Sequence, residues 1–328
     1  MTKAVIVRLD SVGDVLLAGP AIRAVAQAAD VTLLCSSVGK AAADLLPGVR
    51  DTLVFDAPWV HVPPPAAQRA ATARLIWELR GFDEAVILTS RFQNSIASAL
   101  LLRLAGVKRI TGISDDYPGS LLDERVRVPD DVHEVQRNLA VAAAAGYPGD
   151  DSLDLVADLP EVPRPREPYV VIHPGADAPS RAIEAELAAE VVGELAAQGF
   201  TPVVTGSPGE TELTSRVAGS DGIDLGGRTS LGQLAHLLRG ARAVVVGNTG
   251  PAHLAASVGT PVVSLFPPVV PWQKWAPYGV PVVRLGDQQA PCADTRAREC
   301  PVPGHPCLAG VGSHDVVEAV QQLAGVAA

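Results

Sequence analysis

Apolar and polar positions alternate along the chain in two textures. Short, nearly unbroken apolar runs occupy residues 4–9, 31–35, 52–55, 85–88 and 108–112. Longer segments lie between or after them at 19–28, 66–80, 95–104 and 132–145, with apolar residues recurring at helical spacing. The short runs read as strands buried on both faces, the longer segments as amphipathic helices. Gly19-Pro20 opens the first helix with proline at a tolerated early position. Val62-Pro63-Pro64-Pro65 breaks the pattern before the second helix. Strands alternating with helices predict a parallel sheet covered on both sides.

The texture then lapses. From Asp158 to Pro168 four prolines occur without apolar periodicity, as expected of a linker. The alternation restarts with strands at 169–172, 202–205, 244–246 and 261–266, and helices at 183–198, 230–239 and 313–325. Leu231, Leu234, Leu237 and Leu238 mark the buried face of one helix, and Ser313 stands where an N-cap would. The prediction is two α/β domains, each with a parallel sheet, facing an interdomain cleft. Residues 1–158 form the first, 159–168 the linker and 169–328 the second. The last helix is a candidate to pack back on the first domain.

Composition narrows the function. A chain of 328 residues with 48% hydrophobic content has enough apolar material for two packed cores. No apolar run reaches the ~18 residues of a membrane span. The strand texture begins at Ala4 and leaves no room for a signal peptide, so a cytoplasmic chain is expected. A net charge of −10 argues against general nucleic-acid binding, yet allows an anionic small ligand beside a few local arginines. Of the four cysteines, Cys35 ends an apolar run and reads as a core residue. Cys292, Cys300 and Cys307 share a Pro-rich loop with His305, at a spacing that fits no zinc pattern; packed thiols are the expected arrangement.

Four strand ends carry polar turns, at 10–14, 173–181, 206–210 and 247–253. In open parallel sheets ligands bind at the carboxyl ends of strands, so these turns are candidate site elements. The run Gly247-Asn248-Thr249-Gly250-Pro251-Ala252-His253 leads from a buried strand into a helix. Small side chains and free N–H groups of the first turn suit a phosphate there. Asp14 is the carboxylate of the first turn and a candidate base for a hydroxyl; its plainer reading is a helix cap. Arg181 is a candidate diphosphate cation or a solvated arginine at a helix start. Glu210 is placed to accept ribose hydroxyls or to favour its own helix N-terminus. His253 is a candidate phosphate donor or a core histidine. The absence of G-x-x-x-x-G-K-[ST] removes a P-loop ATPase, and the first turn lacks the G-x-G-x-x-G of nicotinamide enzymes. No Asp-x-Asp pair marks a metal-bridged diphosphate.

Taken together, these segments resemble the bacterial ADP-heptose–lipopolysaccharide heptosyltransferases, family 9 glycosyltransferases with the two-Rossmann GT-B fold. The matching motifs are Val5-Ile6-Val7-Arg8-Leu9-Asp10-Ser11-Val12-Gly13-Asp14-Val15-Leu16, Val171-Ile172-His173-Pro174-Gly175-Ala176, Gly206-Ser207-Pro208-Gly209-Glu210 and Gly247 through Pro261. The resemblance implies an inverting, metal-independent transfer of a heptose or related sugar, without a cofactor, from a nucleotide donor, ADP-heptose first. The acceptor would be a hydroxyl on a glycan, a lipid-linked sugar or a small metabolite, with membrane contact only in the lipid-linked case. It implies Asp14 as general base and Arg181, where the family usually has Lys, as the cation facing the leaving group. His173, Pro174, Gly175, Ser180, Arg181, Glu210, Asn248, Thr249, Gly250 and His253 would bind the donor. Ser11, Gly13, Arg91, Gln93 and Asn94 are candidate acceptor contacts, and no residue is assigned to a metal. Two departures stand out. Asn248 replaces the family's common Asp, and Ile183-Glu184 replace Trp-Pro. Two other classes remain open: a non-catalytic nucleotide-sugar-binding protein of this fold, and an epimerase or dehydrogenase on a double Rossmann scaffold.

Overall fold

The computed structural model describes residues 1–61, 63–163, 165 and 168–326. The chain divides into two compact units, Met1–Val156 and Ala157–Ala328. The division falls just before the expected end of the first domain. Arg164, Arg166 and Glu167 of the expected linker, and Val62 of the proline run, lie outside the described residues.

The first unit is one parallel sheet of six strands: β1 (Thr2–Arg8), β2 (Ala29–Cys35), β3 (Val49–Val54), β4 (Glu84–Ile87), β5 (Arg109–Ile113) and β6 (Glu124–Val126). Their order is β3-β2-β1-β4-β5-β6, so the chain reverses its direction of travel between β1 and β4. Ala4, Val5, Ile6 and Val7 of β1 are at most 1% exposed, because helices cover both faces. That is why this strand shows no alternation of apolar and polar residues.

The second unit repeats the plan with β7 (Tyr169–His173), β8 (Thr201–Val204), β9 (Ile223–Asp224), β10 (Val244–Gly247), β11 (Val262–Leu265) and β12 (Val282–Leu285). The order β12-β11-β10-β7-β8-β9 puts its reversal between β7 and β10. In doubly wound sheets the crevice at such a reversal is where ligands sit. Helix Leu231–Arg239 starts at a reciprocal cap: the Gln233 N–H donates to Ser230 Oγ at 3.3 Å, and the Ser230 N–H donates to Gln233 Oε1 at 3.0 Å. It buries Leu234, Leu237 and Leu238. The last helix, Ser313–Val326, packs on helix Ala185–Ala197 and on β10, β11 and β12 of its own unit. Ser313 is its first helical residue, and the hydroxyl donates to Glu194 Oε1 at 2.6 Å.

Several elements differ from expectation. The turn expected at 10–14 runs into a helix from its third residue, Val12–Leu17. Helix Thr211–Ala218 was hidden by its polar composition, since it buries only Thr214, Val217 and Ala218. Strands β6 and β9 are three and two residues long, too short to register as a pattern. Among the described residues no helix is long and apolar enough to cross a membrane.

Candidate active site

In the first unit the polar cluster begins with a buried arginine. Arg8 ends β1 with its side chain fully buried. Its Nε lies 2.9 Å from Asp10 Oδ2, and its Nη2 lies 3.0 Å from Asp14 Oδ1 and 3.2 Å from Glu134 Oε2. Nη1 donates to Asn138 Oδ1 at 3.2 Å. Glu134 and Asn138 come from helix Glu134–Ala144, and Asn138 Nδ2 in turn donates to the Leu17 carbonyl at 3.2 Å. Burial pushes the Asp10 carboxyl up to about 7, against the pull of Arg8 and with the help of Asp14. Burial also raises Glu134 against Arg8, and burial lowers Arg137 on the same helix. For Arg8 burial opposes the charge, but Asp10, Asp14 and Glu134 together hold it above its usual range.

Asp14 is the third residue of helix Val12–Leu17, and Ser11, not Asp14, occupies the N-cap position. The Ser11 hydroxyl donates to Asp14 Oδ2 at 2.7 Å instead of capping the backbone. Gly13 is buried inside the same helix. Of the three other acceptor candidates, Gln93 reaches the cluster, donating from Nε2 to Asp10 Oδ1. Asn94 Oδ1 accepts the Ile96 N–H at 2.7 Å, so its carbonyl serves the start of helix Ile96–Ala105. Arg91 is farther out, with Nη2 3.3 Å from Asp130 Oδ2 and its guanidinium 5.6 Å from the centre of the Phe92 ring.

In the second unit the expected donor residues gather at the carboxyl ends of β7, β8 and β10. His173 ends β7, buried, with Nδ1 3.0 Å from Thr205 Oγ1. Pro174 accepts the Ile183 N–H at 2.8 Å. A Cβ on Gly175 would stand 1.9 Å from Glu210 Oε1, so this backbone lies directly against the carboxylate. Glu210 Oε2 accepts both the N–H and the hydroxyl of Ser207 at 2.7 Å each, which closes the cap of the 3₁₀ turn Pro208–Glu210. The capping role anticipated for Glu210 is therefore present, with Oε1 left toward Gly175.

The turn Pro179–Arg181 crosses the end of β10. A Cβ on Gly247 would lie 2.0 Å from the Arg181 carbonyl oxygen, and only glycine permits that approach. Ser180 anchors the turn: its N–H donates to the Arg298 carbonyl at 2.9 Å and its hydroxyl to the Ala297 carbonyl at 2.6 Å. Beyond Gly247, Asn248 is 4% exposed and its Nδ2 has no hydrogen-bond partner among the described residues. A buried unpaired amide costs about 1–3 kcal/mol, and a ligand oxygen would relieve it. Thr249 is the N-cap of helix Gly250–Ser257 but its side chain makes no cap bond. His253 is buried in that helix. The N-terminus of helix Gly250–Ser257 and the Asn248 amide thus stand at the end of β10, at the β7–β10 reversal, where the Arg181 backbone lies against Gly247. A helix N-terminus with a buried amide donor beside it is able to hold an anion. Cys292 and Cys307 are buried and Cys300 half-buried, all three as free thiols. Among the described residues no set of three His, Cys, Asp or Glu side chains is grouped to hold a metal.

The model of "Glycosyltransferase family 9 (heptosyltransferase)" matches residues 73–305. The chain belongs to glycosyltransferase family 9. Lipopolysaccharide heptosyltransferase 1 of Pseudomonas aeruginosa is 27% identical, over 91% of this chain and 87% of its own length. Among solved structures, Escherichia coli ADP-heptose lps heptosyltransferase II superposes with a TM-score of 0.75 at 18% identity, covering 99% of each chain. E. coli heptosyltransferase WaaC with ADP gives 0.74 at 20% identity, covering 98% of this chain and 100% of the other. The shared architecture is the expected GT-B fold. As a member of family 9 the protein is a glycosyltransferase of the heptosyltransferase type.

For this family 9 chain, sequence reasoning missed Arg8, Asp10, Glu134 and Asn138. One signal was available: an arginine ending an otherwise apolar strand has to find buried partners. Two of those partners, Glu134 and Asn138, lie more than 120 positions away and leave no local trace.

His173 carries a pH prediction. Burial pushes its imidazole down to about 4, against the attraction of Glu210. The native state then stays neutral while the unfolded chain gains a proton near the ordinary value of 6.5. The resulting stability is present above 6.5 and is lost as pH falls from 6.5 toward 4. Chemical denaturation of wild type and His173→Asn across that window should show a smaller loss in the variant. Equal losses would discard the buried neutral imidazole.

Proposed function

We propose that the protein transfers a heptose or related sugar from a nucleotide diphosphate donor, ADP-heptose first, to an acceptor hydroxyl with inversion at the anomeric carbon. One observation supports the donor half: the Asn248 amide, buried with no hydrogen-bond partner among the described residues, stands beside the N-terminus of helix Gly250–Ser257 at the β7–β10 reversal. The turn that carries Arg181 crosses the same strand end. These groups suit a diphosphate whose charge grows as it leaves. Glu210 Oε1 beside Gly175 suits ribose hydroxyls, and His173, Pro174, Ser180, Thr249 and His253 are the further donor residues of this reading. The naming of the E. coli structure with ADP and of the P. aeruginosa relative as a lipopolysaccharide heptosyltransferase supports the choice of donor.

Asp14 takes the acceptor hydroxyl's proton as that oxygen bonds to the anomeric carbon. The carbon–oxygen bond to the diphosphate breaks with its electron pair, and the nucleotide diphosphate leaves. In this reading Arg181 and the helix terminus stabilise the leaving group and no metal is needed. Ser11, Gly13, Arg91, Gln93 and Asn94 border the acceptor side. The acceptor is a glycan, a lipid-linked sugar or a small metabolite, and the location is cytoplasmic, with peripheral membrane contact in the lipid-linked case.

A single-turnover screen of nucleotide sugars, read by mass spectrometry of released nucleotide, tests the proposal. ADP release from ADP-heptose above other donors is expected; preference for a uridine or guanosine donor overturns the donor assignment. Asn248 should tune the sugar. Its amide donates without charge where Asp would only accept, so Asn248→Asp should shift the ratio of kcat/KM between ADP-heptose and other ADP-sugars by about ten-fold. An unchanged donor profile removes Asn248 from sugar selection.

A further inference from the structure

The cluster around Arg8 is more elaborate than packing requires. A buried strand end closed by apolar side chains would be about as stable as one holding an ion pair. Here one guanidinium instead faces three carboxylates: Asp10 from the β1 turn, Asp14 from helix Val12–Leu17 and Glu134 from helix Glu134–Ala144. Arg137, on the same helix as Glu134, is the second cation near the group and spends its Nε on the Thr89 carbonyl at 3.0 Å. The three acids differ in access. The side chains of Asp10 and Glu134 are 6% and 1% exposed, whereas that of Asp14 is 20% exposed. The network therefore presents one carboxylate to the outside and holds it from behind.

We infer that Arg8 is the positioning residue of Asp14, an inference resting on the general-base role proposed above. Nη2 fixes Oδ1 at 3.0 Å, while Asp10, Glu134 and Asn138 fix the guanidinium itself. The planar fork donates to Asn138, Asp14 and Glu134 and stands in ion-pair contact with Asp10, a geometry an ammonium cannot match. Oδ2 accepts the Ser11 hydroxyl at 2.7 Å, on the side where the acceptor hydroxyl would bind. The same cation offsets the repulsion between Asp14 and the two other acids.

The test compares Arg8→Lys with the charge-balanced pair Arg8→Gln/Glu134→Gln. Turnover, pH–rate profiles and carboxyl titration by NMR of 13C-aspartate protein are read together, with the Asp14 signal assigned by its loss in Asp14→Asn. Arg8→Lys should lower kcat about ten-fold or more with donor KM within about two-fold, since geometry fails while charge remains. The double variant should move both the Asp14 titration and the acid limb of the rate profile to higher pH. A folded double variant with an unchanged Asp14 titration overturns the inference. So does a shifted titration with unaltered kcat while Asp14→Ala is inactive. The titration needs no turnover, so it decides the Arg8–Asp14 coupling whichever donor is correct. Full activity of Asp14→Ala, in contrast, removes the base role and the inference with it.

Discussion

Asp14→Ala is expected to lower kcat by at least ~10²-fold, the usual worth of a general base, with donor affinity unchanged. The expectation rests on separation of roles. Asp14 belongs to the first unit, and the residues assigned to the donor belong to the second. It also rests on exposure, because Asp14 is the one carboxylate of the Arg8 cluster that a hydroxyl can reach. Stability should change little. Removing Asp14 gives up one bond to Arg8 but relieves repulsion with Asp10 and Glu134. Steady-state kinetics, calorimetric titration with ADP and denaturation of the same preparation check all three points. Turnover within a few-fold of wild type would falsify the base assignment.

Arg181→Ala should cost ~10²–10³-fold in kcat and also weaken ADP binding, as expected when a preorganised charge facing a leaving group is lost. Arg181→Lys should recover a large part of the loss, because an ammonium still meets the diphosphate as a point charge. The turn that carries Arg181 is held by the Ser180 bonds to Ala297 and Arg298 and by its approach to Gly247, so the backbone should survive either change. Dissociation constants for ADP at several salt concentrations are the discriminating measurement. Wild-type ADP binding should weaken with salt more steeply than binding to Arg181→Ala. Equal salt slopes would place Arg181 outside the diphosphate site.

The candidate donor residues were legible because they lie in the strand-end turns themselves. His173 and Gly247 end buried strands, Gly175 and Asn248 follow within two residues, and Glu210 lies in the turn after β8; a parallel sheet brings all its carboxyl ends to one edge. The acceptor half was less legible. Gln93 and Asn94 are adjacent in the chain, yet one reaches Asp10 and the other serves the start of its own helix. No spacing rule separates them, since rotamers in a loop follow whichever partner is nearest.

By itself the sequence determined two α/β units, their approximate boundary and the four polar turns at strand ends. Those properties follow from hydrophobic periodicity and from glycine, proline and small polar residues at strand ends, all of them local. Tertiary structure alone decided how the charges are paired. Arg8 meets Glu134 and Asn138 only because the sheet order brings helix Glu134–Ala144 back beside β1. Asp14 changed from a helix cap to the outward carboxylate of a buried network for the same reason. Electrostatic energies depend on distance and burial in the folded molecule, and neither is encoded at any single position in the chain.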